Sequence, residues 1–395
     1  MGLIVQKFGG SSVKDRDRIF NVARIVMNTR NAGNDVVVVV SAQGDTTDDL
    51  IAKAAEITSD PSHREMDMLL AAGEEISISL LTMALQELGV SAISLTGWQA
   101  GFNTDRAYSK ARIKRLDTER VESELARNRV VVVAGFQGLN RSDDITTLGR
   151  GGSDTSAVAL AAALHADRCQ IFTDVEGVFT ADPRKIPKAT KLKEITFDEM
   201  LELASQGAQV LHNRSVEMAK RFGVQLEVKS SFKNGVGTRV REVVMEKRSV
   251  SGVARDQNVA LITIEGLKDR PGNIWRLFSG LTEQKINVDI ILQPPAVEQQ
   301  TSITFSVPRE SLDHAVEMLT EHRGDLAYDS VSVDDRVCKI SIVGAGMASD
   351  YGVASRMFEA LYQAGVNIRC VTTSEIKISV IVSEEDGDRG FIAVH

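Results

Sequence analysis

Cysteine is scarce in this chain, and its scarcity excludes several classes of protein. Only Cys169, Cys338 and Cys370 occur among 395 residues. Their number is odd, they lie far apart, and their spacing matches neither a disulfide framework nor a metal-binding cluster. The sequence therefore indicates a protein of the reducing cytoplasm rather than a secreted, disulfide-bonded fold.

The chain also lacks an excess of positive charge and any long hydrophobic run. Lys and Arg number 46 against 54 Asp and Glu, and the net charge of −8 argues against a nucleic-acid or anionic-membrane surface. The longest aliphatic runs, such as 36–40 and 130–134, have the length of strands. The amino terminus lacks a secretory signal, and Gln6 stands where a myristoylation motif needs Ser or Thr. We expect no nucleic-acid partner and no membrane anchor.

What is present is the composition of a folded protein with several domains. The 43% apolar and 25% charged residues are typical of a globular chain, and 395 residues are too many for one ordinary core. From residue 1 to about 245, β-branched runs such as Val36–Val40 alternate with helical segments. Continuous apolar strands separated by helices predict a mostly parallel sheet covered on both faces. Ligands of such folds bind at the carboxyl ends of the strands.

The last third of the chain contains two copies of one pattern. Gly272 and Gly352 fall in register, as do Asn287 and Asn367. Each copy combines an alternating apolar strand, a glycine turn, an amphipathic helix and a strand that begins at the Asn, which predicts two ββαβ-like units. Two such units suggest a paired regulatory module, although duplicated units could also serve only to stabilise the chain or its dimer.

These patterns set the predicted domain boundaries. A charged, glycine-poor segment near residue 245 separates the first region from the repeats. We therefore expect three domains, at 1–245, 246–330 and 331–395. Pro294 and Pro295 predict a hairpin loop inside the first repeat, because prolines offer no amide to a strand ladder.

Polar loops follow the first two strands. Lys7 ends the first strand and precedes Gly9 and Gly10, whose backbone can approach an anion at a helix start, although a plain tight turn explains the same residues. The second strand continues into Ser41 and Thr47. Hydroxyl groups in this segment could bind an anion, or the segment could simply cap the next helix.

The loop after strand 130–134 is more specific. Gly149, Gly151 and Gly152 flank Arg150, and Asp154 follows at the start of an alanine-rich helix. Arginine can hold a carboxylate in a bidentate fork, and a plain glycine turn requires neither Arg150 nor Asp154. We therefore interpret this loop as part of a binding site.

A fourth loop, residues 171–184, follows a further strand. It offers polar groups and an aromatic suited to a nucleotide, although an ordinary turn with Asp-Pro also fits. Four anion-compatible loops at four strand ends together favour an anion-binding site over four ordinary turns.

Taken together, these motifs and the tandem repeats resemble the aspartate kinase family over essentially the whole chain. The resemblance implies an α/β amino-acid-kinase-like three-layer αβα domain with a mostly parallel sheet, followed by two α+β ACT domains, a fold that binds amino-acid effectors. It also implies transfer of the γ-phosphoryl of ATP, with Mg²⁺, to the β-carboxylate of L-aspartate. This reaction begins the synthesis of lysine, threonine and methionine.

The resemblance also assigns roles to individual residues. Catalytic roles fall to Lys7, Arg150 and Asp154. ATP binding falls to Lys7, Phe8, Gly9, Gly10, Ser41, Thr173, Asp174, Phe179, Asp182, Arg184 and Lys233. Aspartate binding falls to Ser41, Thr47, Glu74, Arg150, Gly151, Gly152 and Ser153. We assign effector binding to Asp269, Gly272, Asn287, Asp289, Gln293, Val353, Asn367 and Ile368. No protein-held metal site is expected.

Further expectations concern partners and alternatives. Lysine, threonine or both are expected as effectors, and a homodimer or higher oligomer as the assembly. Met245 would permit a separately made regulatory subunit from an internal start, and the early end at His395 suggests a shortened last helix. Two rivals are another superfamily kinase, acting on glutamate, acylated glutamate or a nucleoside monophosphate, and a non-enzymatic amino-acid sensor.

Overall fold

The structure is a computed structural model that describes residues 2–208, 210–243 and 249–395. The chain divides into two compact units, each built from more than one segment. Unit 1 comprises residues 1–180, 190–205 and 209–246, and unit 2 comprises 181–189, 206–208 and 247–395. Met245 and the predicted boundary beside it lie outside the described residues.

Unit 1 contains an eight-stranded sheet. Its strands in chain order are β1 (Leu3–Phe8), β2 (Asp35–Val40), β3 (Ala92–Leu95), β6 (Val130–Ala134), β9 (Arg168–Thr173), β10 (Glu194–Thr196), β11 (Leu226–Ser230) and β12 (Thr238–Arg241). The spatial order is β10-β12-β11-β9-β1-β2-β6-β3, and only the β11–β12 pair is antiparallel. The predicted mostly parallel sheet is confirmed, because its central strands are buried on both faces and joined by helical crossovers.

The helices of unit 1 cover this sheet. They are α1 (Arg16–Asn31), α2 (Thr46–Ile57), α3 (His63–Glu87), α4 (Glu119–Ala126), α5 (Gly152–Ala163), α6 (Phe197–Ser205) and α7 (Asn213–Phe222). One face of the sheet packs its alternate valines against α1 and α3 in a single apolar core. Asp15 caps α1 by accepting a hydrogen bond from the Arg18 amide at 3.0 Å, which accounts for the start of the helix at Arg16.

Helices α2 and α3 are unusual in where their apolar residues lie. No residue of α2 is buried, and Ile51 and Ile57 are exposed. Helix α3 is long and apolar enough to cross a bilayer by length and composition alone. Half of its most apolar stretch is buried inside the fold, and Asp67 and Glu74 lie on its buried side, so we interpret α3 as a core helix.

A second, four-stranded sheet in unit 1 was not predicted from the sequence. It consists of β4 (Phe102–Thr104), β5 (Ile113–Leu116), β7 (Gln137–Leu139) and β8 (Ile145–Thr147), in the order β5-β4-β7-β8. Strands of three or four residues are too short to give a clear alternating pattern. The sheet matters for function because β8 leads directly into the loop that carries Arg150.

Unit 2 contains two further four-stranded sheets. Its strands are β13 (Gly252–Asp256), β14 (Ala260–Lys268), β15 (Ile291–Leu292), β16 (Gln300–Val307), β17 (Ser330–Asp334), β18 (Val337–Val343), β19 (Cys370–Thr373) and β20 (Lys377–Ser383). Its helices are α8 (Asn273–Glu283), α9 (Leu312–Glu321), α10 (Arg323–Leu326), α11 (Val353–Gln363) and α12 (Gly387–Val394).

The two repeats are interwoven rather than consecutive. One sheet has the order β15-β16-β14-β17, and the other the order β13-β18-β20-β19. Strand β13 thus pairs with β18 of the second repeat, although the sequence places it in the predicted domain 246–330. Each repeat runs strand, helix, strand, strand, helix, which corrects the predicted ββαβ-like order. A local pattern identifies strands but not their pairing partners.

Candidate active site

Lys7 and Asp154 form an ion pair at the carboxyl end of the main sheet. Lys7 lies near the end of β1, and Asp154 lies in the first turn of α5. The Lys7 Nζ lies 2.7 Å from Asp154 Oδ1, and the two side chains are only 13% and 11% exposed. A largely buried ammonium held by a carboxylate can interact with an anion that binds at this edge.

The glycine loop after β1 approaches the loop after β2 very closely. A Cβ on Gly10 would lie 2.5 Å from the carbonyl oxygen of Ala42, and a Cβ on Gly9 would lie 3.5 Å from Lys7 Nζ. Gly9 precedes a short 3-10 helix, Gly10–Ser12. Phe8 is fully buried and stacks on Phe172, with ring centroids 4.5 Å apart, so only the main chain of Phe8 can face a nucleotide.

Glu74 reaches the same edge from helix α3. Its side chain is buried, and its Oε1 accepts a hydrogen bond of 3.0 Å from the Ala42 amide. Its Oε2 is buried and, among the described residues, without a hydrogen-bond donor. Burial raises the pKa of Glu74 to about 8, against the opposing effect of the Ala42 amide. Once Glu74 is ionised, its second buried oxygen is suited to an incoming ammonium group.

The hydroxyl groups after β2 do not cap the next helix. Asp45 is the N-cap residue of α2 and makes no capping bond through its side chain. Thr46 donates its hydroxyl to the Gln43 carbonyl at 2.6 Å. Among the described residues, the hydroxyl groups of Ser41 and Thr47 have no protein partner. The capping alternative for this segment is therefore wrong, and both hydroxyls are available to a ligand.

The arginine loop, defined as residues 148–152, joins β8 to α5. Gly149 and Gly151 have φ angles of 76° and 72°, which few other residues adopt. Arg150 is exposed and, within the described residues, has no ion pair or hydrogen bond. Ser153 and Asp154 are buried at the helix start that follows. The loop thus presents an unpaired guanidinium four residues before Asp154, the partner of Lys7.

The loops after β9 and β11 lie beside each other. The Thr173 hydroxyl donates to Asp174 at 3.0 Å, and the Thr173 carbonyl accepts the Ser231 amide at 3.0 Å. Lys233 is largely exposed and pairs with Glu176 at 2.7 Å. Phe179 is half-buried and bridges to Lys191 through the main chain. Four of the residues predicted to bind ATP (Thr173, Asp174, Phe179, Lys233) therefore lie in unit 1.

Asp182 and Arg184 lie in unit 2, unlike the other predicted ATP-binding residues. Their side chains form a two-pronged pair with each other, at 3.0 and 3.1 Å. Nearby Ala181 and Ile186 are buried in the core of the second repeat. Their role in ATP binding stays a prediction.

The predicted effector residues all lie in unit 2, most of them on loops. Gly272 and Gly352 are the N-cap residues of α8 and α11, with φ angles of 97° and 94°. Asp269 is exposed, and Val353 is buried, so Val353 can offer only its main chain. Among the remaining predicted positions, Ile368 is half-buried and the others are exposed: Asn287, Asp289, Gln293 and Asn367.

Two details of this region differ from the prediction. Asn287 and Asn367 precede the strands instead of starting them, since β15 begins at Ile291 and β19 at Cys370. Asp289 pairs at 2.5 Å with Lys339, a nearly buried lysine of β18. The predicted hairpin at Pro294–Pro295 is confirmed by the antiparallel pairing of β15 and β16.

Three residues beside the site were missed from the sequence. Asp67 of α3 is fully buried and accepts the amide and hydroxyl of Thr147. Arg214 of α7 donates to the Leu148 carbonyl. The His212 ring lies so close to Gly151 that a Cβ there would be 2.2 Å from the ring carbon Cγ. Of these three residues, only Asp67 had a signal in the sequence, because it is an acidic residue inside the apolar run of α3.

Metal ligands are not clustered in the described ranges, since no group of three or more His, Cys, Asp or Glu side chains is placed to hold an ion there. The three cysteines are all free and buried. Burial raises the pKa of the Cys169 thiol, which keeps that residue uncharged beside the Lys7–Asp154 pair.

Comparison with known proteins covers both parts of the chain. Residues 2–230 match the amino acid kinase family, and residues 340–395 match the ACT domain. An aspartokinase of Bacillus sp. (strain MGA3) is 49% identical over 397 residues, covering 100% of this chain and 97% of the relative.

Solved structures agree with this match. The structure of E. coli aspartokinase III with aspartate and ADP has a TM-score of 0.84 and 26% identity, covering 100% of this chain and 99% of that one. The same enzyme with lysine and aspartate gives a TM-score of 0.77 and 27% identity, covering 100% and 98%.

Proposed function

Since this chain belongs to the amino acid kinase family and, within it, to the aspartokinases, we propose that the Lys7–Asp154 edge of unit 1 binds MgATP and L-aspartate for phosphoryl transfer. The protein is an aspartate kinase. It transfers the γ-phosphoryl of ATP to the β-carboxylate of L-aspartate, giving 4-phospho-L-aspartate and ADP, at the start of lysine, threonine and methionine synthesis. Neither a kinase for another acceptor nor a catalytically inactive sensor fits this relationship.

The acceptor needs no general base. An aspartate side chain with its ordinary pKa of about 3.9 is already ionised near neutral pH, so the nucleophilic oxygen carries its charge when it binds. Catalysis then requires in-line positioning and neutralisation of the charge that develops on the moving phosphoryl group. We assign the second task to Lys7, whose ammonium Asp154 holds at 2.7 Å, together with the main-chain amides at Gly9 and Gly10.

The two ends of the amino-acid substrate have separate partners. Arg150 is unpaired in the described structure and can take the α-carboxylate through two parallel hydrogen bonds. Glu74 can offer its buried Oε2 to the α-ammonium group. Ser41, Thr47 and Ser153 supply further hydroxyl groups, and Gly151 and Gly152 let the backbone approach the substrate.

Nucleotide binding is proposed for the neighbouring loops. Thr173, Asp174 and Phe179 follow β9, and Lys233 lies after β11, where its ammonium pairs with Glu176. We propose that Mg²⁺ enters with the nucleotide as part of the substrate. Asp182 and Arg184 are retained as ATP-binding proposals, with the roles that the family resemblance gives them.

Regulation is assigned to the ACT repeats of unit 2, where end-product amino acids act on the enzyme. We propose lysine, threonine or both as ligands of Asp269, Gly272, Asn287, Asp289, Gln293, Val353, Asn367 and Ile368. A homodimer or higher oligomer in the cytoplasm is the proposed state, since an effector site at the junction of two ACT units couples subunit arrangement to activity. An internal start at Met245 remains part of this proposal, although that residue lies outside the described ranges.

The site assignment rests on the Lys7–Asp154 pair and on Arg150, which is unpaired in the described structure and precedes Asp154 by four residues. Arg150→Lys keeps the charge but loses the two-pronged geometry, so KM for aspartate should rise about tenfold or more with little change in KM for ATP.

Lys7→Ala should instead lower kcat by a factor on the order of a hundred, because the charge of Lys7 acts mainly in the transition state.

The test is ADP release measured with aspartate and with a panel of other acceptor carboxylates. A rise in KM for ATP with an unchanged KM for aspartate in the Arg150 variant would contradict the assignment of Arg150. Turnover near the wild-type rate in Lys7→Ala would remove Lys7 from the mechanism.

A further inference from the structure

The arginine loop is held at its start by a buried carboxylate. Asp67 is fully buried, and its two oxygens accept the Ser109 amide at 3.0 and 2.9 Å. They also accept the Thr147 amide at 2.9 Å and the Thr147 hydroxyl at 2.7 Å. No cation pairs with Asp67 among the described residues. This carboxylate therefore fixes the end of β8, three residues before Arg150.

A guanidinium group holds the same loop from another helix. Arg214, in the first turn of α7, donates to the Leu148 carbonyl at 2.9 Å and to the Ala111 carbonyl at 2.9 Å. Ala111 in turn donates its amide to the Thr147 carbonyl at 2.9 Å. The planar guanidinium presents its donors in a fixed geometry. It therefore holds the arginine loop, at Leu148, at a set distance from the segment that contains Ala111.

The corner of the loop next to Arg150 is fixed by packing. Gly151 has a φ angle of 72°, and the His212 ring leaves no room for a side chain there. His212 is the residue before α7, two positions from Arg214. Arg214 of α7 and His212, the residue before α7, thus contact the two flanks of Arg150, while the Arg150 side chain itself has no protein partner in the described ranges.

We propose that Asp67 and Arg214 are positioning residues that preset the arginine loop to receive the α-carboxylate of aspartate. The inference rests on the role proposed above for Arg150. The protein groups that bind Asp67 and Arg214 belong to the loop and its neighbours, so both act through Arg150 and not on the substrate. A loop that is already ordered in the free enzyme avoids the entropy cost of ordering when the substrate binds. A small displacement of the guanidinium that binds the carboxylate would weaken substrate binding and positioning.

The test uses two variants, each with a matched control from unit 1. Arg214→Met is compared with Arg30→Met, because Arg30 is also half-buried and also donates to loop carbonyls, those of Asn34 and Asn128, away from the arginine loop. Asp67→Asn is compared with Glu199→Gln, because Glu199 is also buried and also accepts a threonine amide and hydroxyl, from Thr196.

The expected result is selective. Arg214→Met and Asp67→Asn should each raise KM for aspartate about tenfold while KM for ATP changes less than about twofold. The two controls should change neither constant, although they can lower the melting temperature. If Asp67→Asn does not fold, Thr147→Val removes a single donor to Asp67 and should raise KM for aspartate in the same direction.

A double-mutant cycle separates positioning from general destabilisation. If Arg214 acts through Arg150, then adding Arg214→Met to Arg150→Lys should raise KM for aspartate by much less than it does alone. Equal effects in both backgrounds, or equal changes in both KM values, would overturn the inference while leaving the proposed role of Arg150 intact. An unchanged KM for aspartate in Arg150→Lys itself would overturn the role of Arg150 and the inference with it.

Discussion

At the scale of single residues, the most unusual group in the site is the Glu74 carboxyl. It is 3% exposed and has one buried oxygen without a donor in the described ranges. Burial is the largest cause of its raised pKa of about 8. The free enzyme therefore holds a proton on Glu74 at neutral pH, and an aspartate ammonium that binds there should displace it.

We predict that this displacement makes aspartate binding depend on pH. Between about pH 6 and 7.5, kcat/KM for aspartate should rise by up to about tenfold per pH unit, because the ionised Glu74 is the form that binds the ammonium. Calorimetry at pH 7 in buffers of different ionisation enthalpy should show proton release on aspartate binding. Glu74→Gln should abolish both effects.

Glu75 provides the neighbouring control, since it is the next acid along α3 and is more exposed. Glu75→Gln should leave the pH profile of kcat/KM almost unchanged.

The raised pKa of Glu74 also makes the stability of the folded protein depend on pH. The raised pKa stabilises the folded state below about pH 4.5, and this contribution is lost as the pH rises through about 8. If kcat/KM of the wild type for aspartate does not change from pH 6 to 8, Glu74 does not have the proposed role in aspartate binding.

At the scale of elements, the site depends on how closely two strand-end loops approach. The loop after β1 and the loop after β2 touch at Gly10, where an added Cβ would lie 2.5 Å from the Ala42 carbonyl oxygen and 3.3 Å from the Gly44 amide nitrogen. The Gly44 amide also donates to the Gly10 carbonyl at 3.0 Å. Because the obstructing atoms are main chain, they cannot rotate away from a side chain.

Gly10→Ala should therefore separate these loops and lower kcat by a factor on the order of a hundred, with a smaller loss of stability. The control is Gly324→Ala, whose added methyl group meets no atom within 4 Å. Steady-state kinetics and thermal melting of both variants provide the measurement. Wild-type kcat in Gly10→Ala would show that the close approach is not needed for catalysis.

At the scale of the whole molecule, two short segments of unit 2 interrupt the sequence of unit 1. Residues 181–189 and 206–208 belong to unit 2, although residues on both sides belong to unit 1. Ala181 and Ile186 are buried in the core of the second repeat, and Gln206 accepts a hydrogen bond from Ser341 at 2.9 Å. A truncation near residue 245 would leave these residues without their partners, so a point variant is the better test of regulation.

Asp269→Ala is that variant. Asp269 is exposed, and its amide donates to the Gln299 carbonyl at 2.8 Å, so the loop should keep its shape when the carboxylate is removed. The concentration of lysine or threonine that half-inhibits the enzyme should rise about tenfold, as expected for the loss of one charged hydrogen bond. Turnover without effector should stay unchanged.

Asp313→Ala serves as the control, because Asp313 is also an exposed acid near the start of a helix in unit 2. Inhibition curves with lysine, threonine and both together measure the effect. If Asp269→Ala and the wild type respond identically to all three, Asp269 has no part in effector binding.

Much of this protein follows from local sequence. The alternation of valine-rich strands with helices predicted the parallel sheet, and the glycines next to Lys7 and Arg150 identified the loops at its edge. These features are readable because a strand or helix imposes its own period on neighbouring residues, and a left-handed turn demands glycine locally. The family resemblance then gave fold and activity together.

The distant residues that support those loops are known only from the folded structure. Asp67 reaches Thr147 across 80 positions of sequence, and Arg214 reaches Leu148 across 66. The burial of Glu74, the pairing of β13 with the second repeat and the placement of residues 181–189 in unit 2 were equally unreadable. The elements and their chemistry could be predicted from the sequence, because these depend on neighbours along the chain. Pairing, burial and the resulting pKa depend on long-range packing, which no local pattern specifies.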